Sequence, residues 1–257
     1  MNKIQDIKNI FKDQTNKNKE ESLYRSCGYG VADLNPEDEL WAKEIIKGGY
    51  ILHFRHAERE KWPDVMSYGG MEYWEMLYDS LETKDFKKKY EDIRKNLTYH
   101  KAVCLSDRGI EQAKLIGFYI RIAKIKISEV ISSPSCRAYE TSMLGFGRID
   151  KISNALVHYG PWNENRKNHL DAIKNFLEEV EQKENQNVVI SSHNGVIQEY
   201  LFDKIEIKID NYDIEEGGFY VIQKDKKNKI ILKYRFKDFY NFSRYLVKRN
   251  YKIYSIN

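Results

Sequence analysis

The 257-residue sequence predicts an α/β domain with a mostly parallel central sheet and helices on both faces. Two observations predict it. Short apolar runs of strand length alternate with longer stretches whose apolar residues recur at helical spacing. In addition, 41% of residues are hydrophobic and 13% aromatic, enough to build one sizeable core and to exclude a disordered chain.

Residues 1–22 are polar and lysine-rich and read as an arm or frayed helix. A short helix is expected over 37–47, with Trp41, Ile45 and Ile46 on one side, so that residues 1–48 form an N-terminal arm and helix. Gly48-Gly49 ends that helix, and Tyr50-Ile51-Leu52-His53-Phe54 follows as a strand that opens the main domain, 49–257. Residues 60–104 are long, charged and aromatic (Trp62, Tyr68, Tyr73, Trp74, Tyr78) and read as an inserted cap.

Ser106 suits a helix N-cap and Asp107 its first turn, and Ile110, Ala113, Gly117 and Ile120 line one stripe of the helix that runs to about 124. Val130-Ile131 is a strand ending in Ser132-Ser133-Pro134, with a helix from near Arg137. Ala155-Leu156-Val157 is a further apolar stretch, and Leu170, Ile173, Phe176, Leu177 and Val180 mark a helix over about 168–182. Val188-Val189-Ile190 is a third core strand that runs into Ser191-Ser192-His193-Asn194-Gly195. Residues 218–223 and 230–236 read as an antiparallel hairpin, the start of a basic hairpin and tail over 218–257.

Net charge is +4, but residues 223–257 carry eleven Lys or Arg against Asp225 and Asp238. That surface, with its interleaved aromatics, could meet nucleic acid. A solvated basic face explains it more simply, so no nucleic-acid partner is expected. There is no apolar signal core and no 18-residue apolar run, so no membrane partner is expected either. Cys27, Cys104 and Cys136 show no zinc-ligand spacing, and an odd, sparse count fits reduced thiols in a cytoplasmic protein.

Three of the apolar strands end in Arg55-His56, in Ser132-Ser133 with Arg137 beyond, and in Ser192-His193. Ligands of open α/β sheets bind outside the carboxyl ends of the strands, so these segments would converge on one crevice. Arginine forks match phosphate oxygens. Neutral imidazole is a competent nucleophile, and neighbouring guanidiniums disfavour its charged form. A second histidine can donate to a phosphoryl oxygen as charge moves.

Four segments in order resemble the histidine phosphatase superfamily across about residues 50–200. Arg55-His56-Ala57-Glu58-Arg59 looks like its Arg-His-Gly signature. Leu105-Ser106-Asp107-Arg108-Gly109 with Gln112-Ala113 resembles its L-[ST]-x-x-G-x-x-Q-A helix start, and Ser132-Ser133-Pro134 with Arg137 and Thr141 its SSP-x-x-R-x-x-x-T segment. Val188 to Gly195 resembles the strand and histidine that close the pocket. The resemblance implies a phosphoglycerate-mutase-like three-layer fold. It implies His56 as phospho-accepting nucleophile, Arg55, Arg59 and Arg137 as phosphate clamp, and His193 as second pocket histidine, with Asn194 close to substrate. No metal or cofactor is implied.

Ala57 stands where the signature has Gly, which a backbone of negative φ tolerates. Arg59 stands where the mutases carry Ser or Thr, which argues for hydrolysis over mutase activity. Asn194 stands where the acid phosphatase branch carries its proton-donating Asp. Glu164 and Glu58 are the carboxylates left as acid candidates. The expected reaction is hydrolysis of a phosphomonoester or phosphoramidate on a phosphorylated small molecule or phosphoprotein. The alternatives are a phosphoglycerate-type mutase and an inert phospholigand- or nucleic-acid-binding protein on the same fold.

Overall fold

The computed structural model describes residues 35–60, 103–157, 166–196 and 214–254. The N-terminal arm, the body of the 60–104 insertion, Cys27 and Glu164 lie outside the described residues. The chain separates into two compact units, 1–36 and 37–257. The second unit contains everything discussed below.

Helix α1, Pro36–Lys47, carries Glu37, Asp38 and Glu39 in its first turn and Lys47 in its last, as the helix dipole favours. Strand β1 is Ile51–Arg55, and helix α2, Asp107–Ile122, follows. Strand β2, Ile127–Ser132, leads into helix α3, Cys136–Phe146. Strand β3, Lys151–Ile152, precedes a single 3₁₀ turn, Asn154–Leu156. Helix α4 is Arg166–Glu179 and strand β4 is Asn187–Ser192. Strands β5, Phe219–Lys224, and β6, Ile230–Phe236, form the hairpin, and helix α5, Phe239–Tyr254, follows.

The six strands form one sheet in the order β3-β2-β4-β1-β5-β6. Pairs β3–β2, β2–β4 and β4–β1 are parallel; β1–β5 and β5–β6 are antiparallel. Strand β1 is thus central, and its carboxyl end lies beside that of β4, with Arg55 opposite Ser192. Because side chains alternate across a strand, Ile51 and His53 face one side and Leu52 and Phe54 the other. On the first side Ile51, Val188, Ile190, Tyr220 and Ile222 pack against Ile173, Phe176, Leu177 and Val180 around α4. On the second, Phe54 packs against Phe146 of α3, Phe219 and Phe239 of α5. Helices therefore cover both faces, as the alternation of elements predicts.

Several aromatic residues of the basic hairpin and tail belong to this core. Phe236 and Phe242 are fully buried, Phe239 and Tyr245 nearly so, and Tyr234 stacks on Trp41. The lysines of the turn between β5 and β6, Lys226, Lys227 and Lys229, are exposed.

One expectation is overturned. Cys104 and Cys136 form a disulfide across a Cα–Cα distance of 5.0 Å, so they are not the two free thiols that the odd, sparse cysteine count suggested. The two residues are 32 apart in sequence, and the return of the chain at 103–105 alongside α3 brings them together. Count and spacing cannot foresee that. Among the described residues, no helix is long and apolar enough to cross a membrane.

Candidate active site

The carboxyl end of β1 sets the geometry. His56 leaves the strand with its backbone N–H on Ser192 O at 2.9 Å, so β4 holds it in place. Its Nδ1 lies 2.8 Å from the carbonyl of Ala57. An acceptor at that distance requires the proton on Nδ1, which leaves the Nε2 lone pair as the ring's open nucleophilic position. The ring is buried. Burial is the main cause holding its pKa well below the usual histidine value. The charge of Arg137 comes next and those of Arg55 and Arg59 add to it, against the opposing pull of the Ala57 carbonyl. Three guanidiniums therefore act on one neutral imidazole.

The sequence motifs gain physical roles here. Thr141 accepts the Ala57 N–H at 2.9 Å and donates to Arg137 O at 2.7 Å, tying the nucleophile's loop to α3. Ala57 does not take a positive φ, so alanine is tolerated where the signature has glycine. Gln112 accepts the Glu58 N–H at 2.8 Å and donates to Glu216 O at 2.9 Å, locking two pocket loops to α2. Ser106 caps α2 by accepting from the Gly109 N–H at 3.1 Å. A Cβ on Gly109 would come within 1.8 Å of the Glu58 carbonyl oxygen, so that position needs glycine for close approach.

His193, at the end of β4, is also buried, and its ring stands edge-on to that of His56 with centroids 5.4 Å apart. Its Nε2 meets Ser135 Oγ at 3.0 Å and Ser133 Oγ at 3.4 Å. Arg137, in the first turn of α3, is buried and donates to Val103 O at 3.4 Å. Arg55 donates to Ile214 O at 2.8 Å and pairs with Glu216 at 3.7 Å; Arg59 reaches the same carboxylate at 4.0 Å. Asn194 accepts from Tyr220 OH at 3.1 Å. Tyr220 stacks on the buried His53, and His53 Nε2 lies 2.6 Å from Ser192 Oγ.

The structure thus gathers His56, His193, Arg55, Arg59 and Arg137 at one end of the sheet, with Asn194 turned to Tyr220. Glu58, a candidate acid, is engaged with Ser106 at 3.2 Å and Arg108 at 3.6 Å.

Sequence reasoning missed two residues. Glu216 sits between Arg55 and Arg59, held there because the following Gly217 N–H bonds to His56 O at 2.9 Å and Gly217 adopts φ +83°. Its signal was the Glu-Glu-Gly-Gly run just ahead of β5, where a positive φ allows the chain to fold back onto the nucleophile's loop. Ser135 was the other, hidden at an unspecified position of its motif.

No family model matches the sequence, and no curated protein does. Among solved structures, the chain is similar to several phosphatases. The α-ribazole phosphatase of Shigella flexneri is 16% identical with a TM-score of 0.46, covering 74% of this chain and 97% of that one. The protein histidine phosphatase SixA, solved with tungstate, is 10% identical with a TM-score of 0.46, over 72% and 95%. A phosphoserine phosphatase of Entamoeba histolytica, solved with 3-phosphoglyceric acid, is 16% identical with a TM-score of 0.44, over 72% and 95%.

Proposed function

We infer that the chain is a phosphatase that hydrolyses phosphomonoesters or phosphoramidates through a phosphohistidine at His56. The observation that carries the reading is the state of that histidine. Its Nδ1 is committed to Ala57 O, and burial and three arginines keep it neutral. In the first step the Nε2 lone pair forms a bond to phosphorus as the bond from phosphorus to the leaving oxygen or nitrogen breaks; the leaving atom takes a proton from solvent water, and the proton that water releases in the second step restores it. In the second, water attacks phosphorus, the P–N bond breaks and inorganic phosphate departs. Arg55, Arg59 and Arg137 offset the phosphoryl charge throughout, a role for which planar, permanently charged forks suit. His193 stands beside the reacting group as a donor to one of its oxygens. Leaving groups of low basicity, an aryl oxide or an imidazole, need little acid assistance, since general acids contribute only about 10²–10⁴-fold.

The test is hydrolysis of a small aryl phosphate by the purified chain, with inhibition by vanadate and resistance to EDTA as the expected results. Brief exposure to ³²P-labelled substrate should leave acid-labile, base-stable label on the wild type and none on His56→Ala. Full turnover by the alanine variant would overturn the assignment.

A further inference from the structure

We propose that Ser135 is a positioning residue for His193, a role that rests on the phosphatase reading above and extends it to a residue outside the recognised motif. Ser135 is the backbone N-cap of α3, with φ −62° and ψ 140°, yet its side chain makes no capping hydrogen bond. Serine at an N-cap usually spends its oxygen on the amides of the first turn, as Ser106 does at α2. Here the hydroxyl is turned away from the helix and lies 3.0 Å from His193 Nε2. Residue 135 also falls at an unspecified position of the SSP-x-x-R-x-x-x-T segment, so the hydroxyl belongs to this chain and not to the motif.

The surroundings give that contact a direction. Ser135 N–H and Ser133 Oγ are 3.3 Å apart, and Ser133 Oγ and Ser135 Oγ are also 3.3 Å apart. The amide can only donate, so Ser133 Oγ accepts from it, and with the Ser133 hydrogen directed to Ser135 Oγ the Ser135 hydroxyl has its own hydrogen to give. Ser135 then aims its hydrogen at Nε2. The relay places the neutral proton of His193 on Nδ1 and pins one edge of the ring. Both serines and the ring are buried, where such hydrogen bonds are strongest and least exchangeable with water. The ring so held stands edge-on to His56. Ser135 therefore fixes the angle and tautomer at which the second histidine meets the phosphoryl group.

The experiment compares Ser135→Ala, Ser135→Gly and Ser135→Thr in the wild-type and His193→Gln backgrounds, with an aryl phosphate as probe. Ala and Gly should each lower kcat by roughly 10- to 100-fold, the range seen when a group orienting an imidazole is removed, with KM little changed and a displaced pH profile. Thr, which keeps a hydroxyl, should recover most of the rate. In the His193→Gln background the Ala and Gly substitutions should have no further effect. Gly remains a good N-cap, so it reports the lost hydroxyl even if Ala disturbs the helix start. Full kcat in Ala and Gly, or the same fold loss in both backgrounds, would overturn the proposal. If the wild type turns over no aryl phosphate, the phosphatase reading fails by itself. The ¹⁵N shifts of the His193 ring still decide the role of Ser135: a tautomer change in Ser135→Gly supports it, and identical shifts overturn it.

Discussion

His53 makes the fold acid-sensitive in a way that is separable from the chemistry. It is fully buried, and burial alone pushes its pKa down to about 3, from an ordinary value of 6.5. The unfolded chain therefore binds a proton at His53 below pH 6.5 that the folded chain refuses until about pH 3. Stability is complete above pH 6.5 and falls as pH drops through this window. The slope approaches ~1.4 kcal/mol per pH step once the pH is well below 6.5, so lowering pH from 6.5 to 4.5 removes about 2 kcal/mol. His56, also buried neutral, adds in the same direction. The perturbation to test is the double substitution His53→Phe with Ser192→Ala, which keeps an aromatic ring against Tyr220 and removes both partners of the 2.6 Å pair, so neither is orphaned. Urea denaturation at pH 6.5, 5.5 and 4.5 should show a shallower loss in the variant, by about 2 kcal/mol over the whole range. Parallel pH dependences in the two proteins would refute the argument. The same variant makes more of the acid limb of activity readable, because turnover by neutral His56 should persist further below pH 6.5 once the His53 contribution to acid unfolding is removed.

Arg137→Lys keeps the charge beside His56 but loses the fork, and should lower kcat/KM roughly 100-fold on an aryl phosphate, measured by steady-state kinetics. Gly109→Ala drives a methyl group into the Glu58 carbonyl and should destabilise the fold by about 3 kcal/mol in urea titration, with activity falling as the nucleophile's loop shifts. Cys104→Ser opens a loop of 32-residue separation and should cost about 3–4 kcal/mol relative to the oxidised wild type. Alkylation without reductant, read by mass spectrometry, should label neither Cys104 nor Cys136 in the oxidised wild type.

Much of this arrangement was legible in the sequence because it is local. Strand, polar terminus and helix recur within single segments, so the carboxyl ends bearing Arg55-His56, Arg137 and His193 could be predicted to share one sheet edge before any tertiary contact was known. Ser106 as a cap and Ala57 as a tolerated residue follow equally from local backbone rules. What stayed hidden depends on distant partners. Glu216 matters because Arg55 and Arg59 reach it from the end of β1 and the loop that follows, more than 150 residues earlier. Ser135 reads as an ordinary N-cap until His193 is seen across from it. His53 looked like any strand residue, although its burial pushes its pKa down to about 3.

The chain segments at 58–60 and 104–106 are joined into a narrow ladder. Arg59 bridges Leu105, Glu60 N–H donates to Cys104 O at 3.0 Å, and Ser106 N–H donates to Glu58 O at 3.0 Å. Beyond it Val103, Cys104 and Leu105 are fastened in turn to Arg137, Cys136 and Glu140 of one helix. Departure and return are thus tied to one another and to α3, and lengthening such a loop adds closure entropy only slowly. Position 60/104 is consequently a natural graft point. A four-residue turn, or a foreign module, spliced across it would leave the nucleophile's loop anchored on both sides, and the catalytic end of the sheet could be re-equipped without being rebuilt.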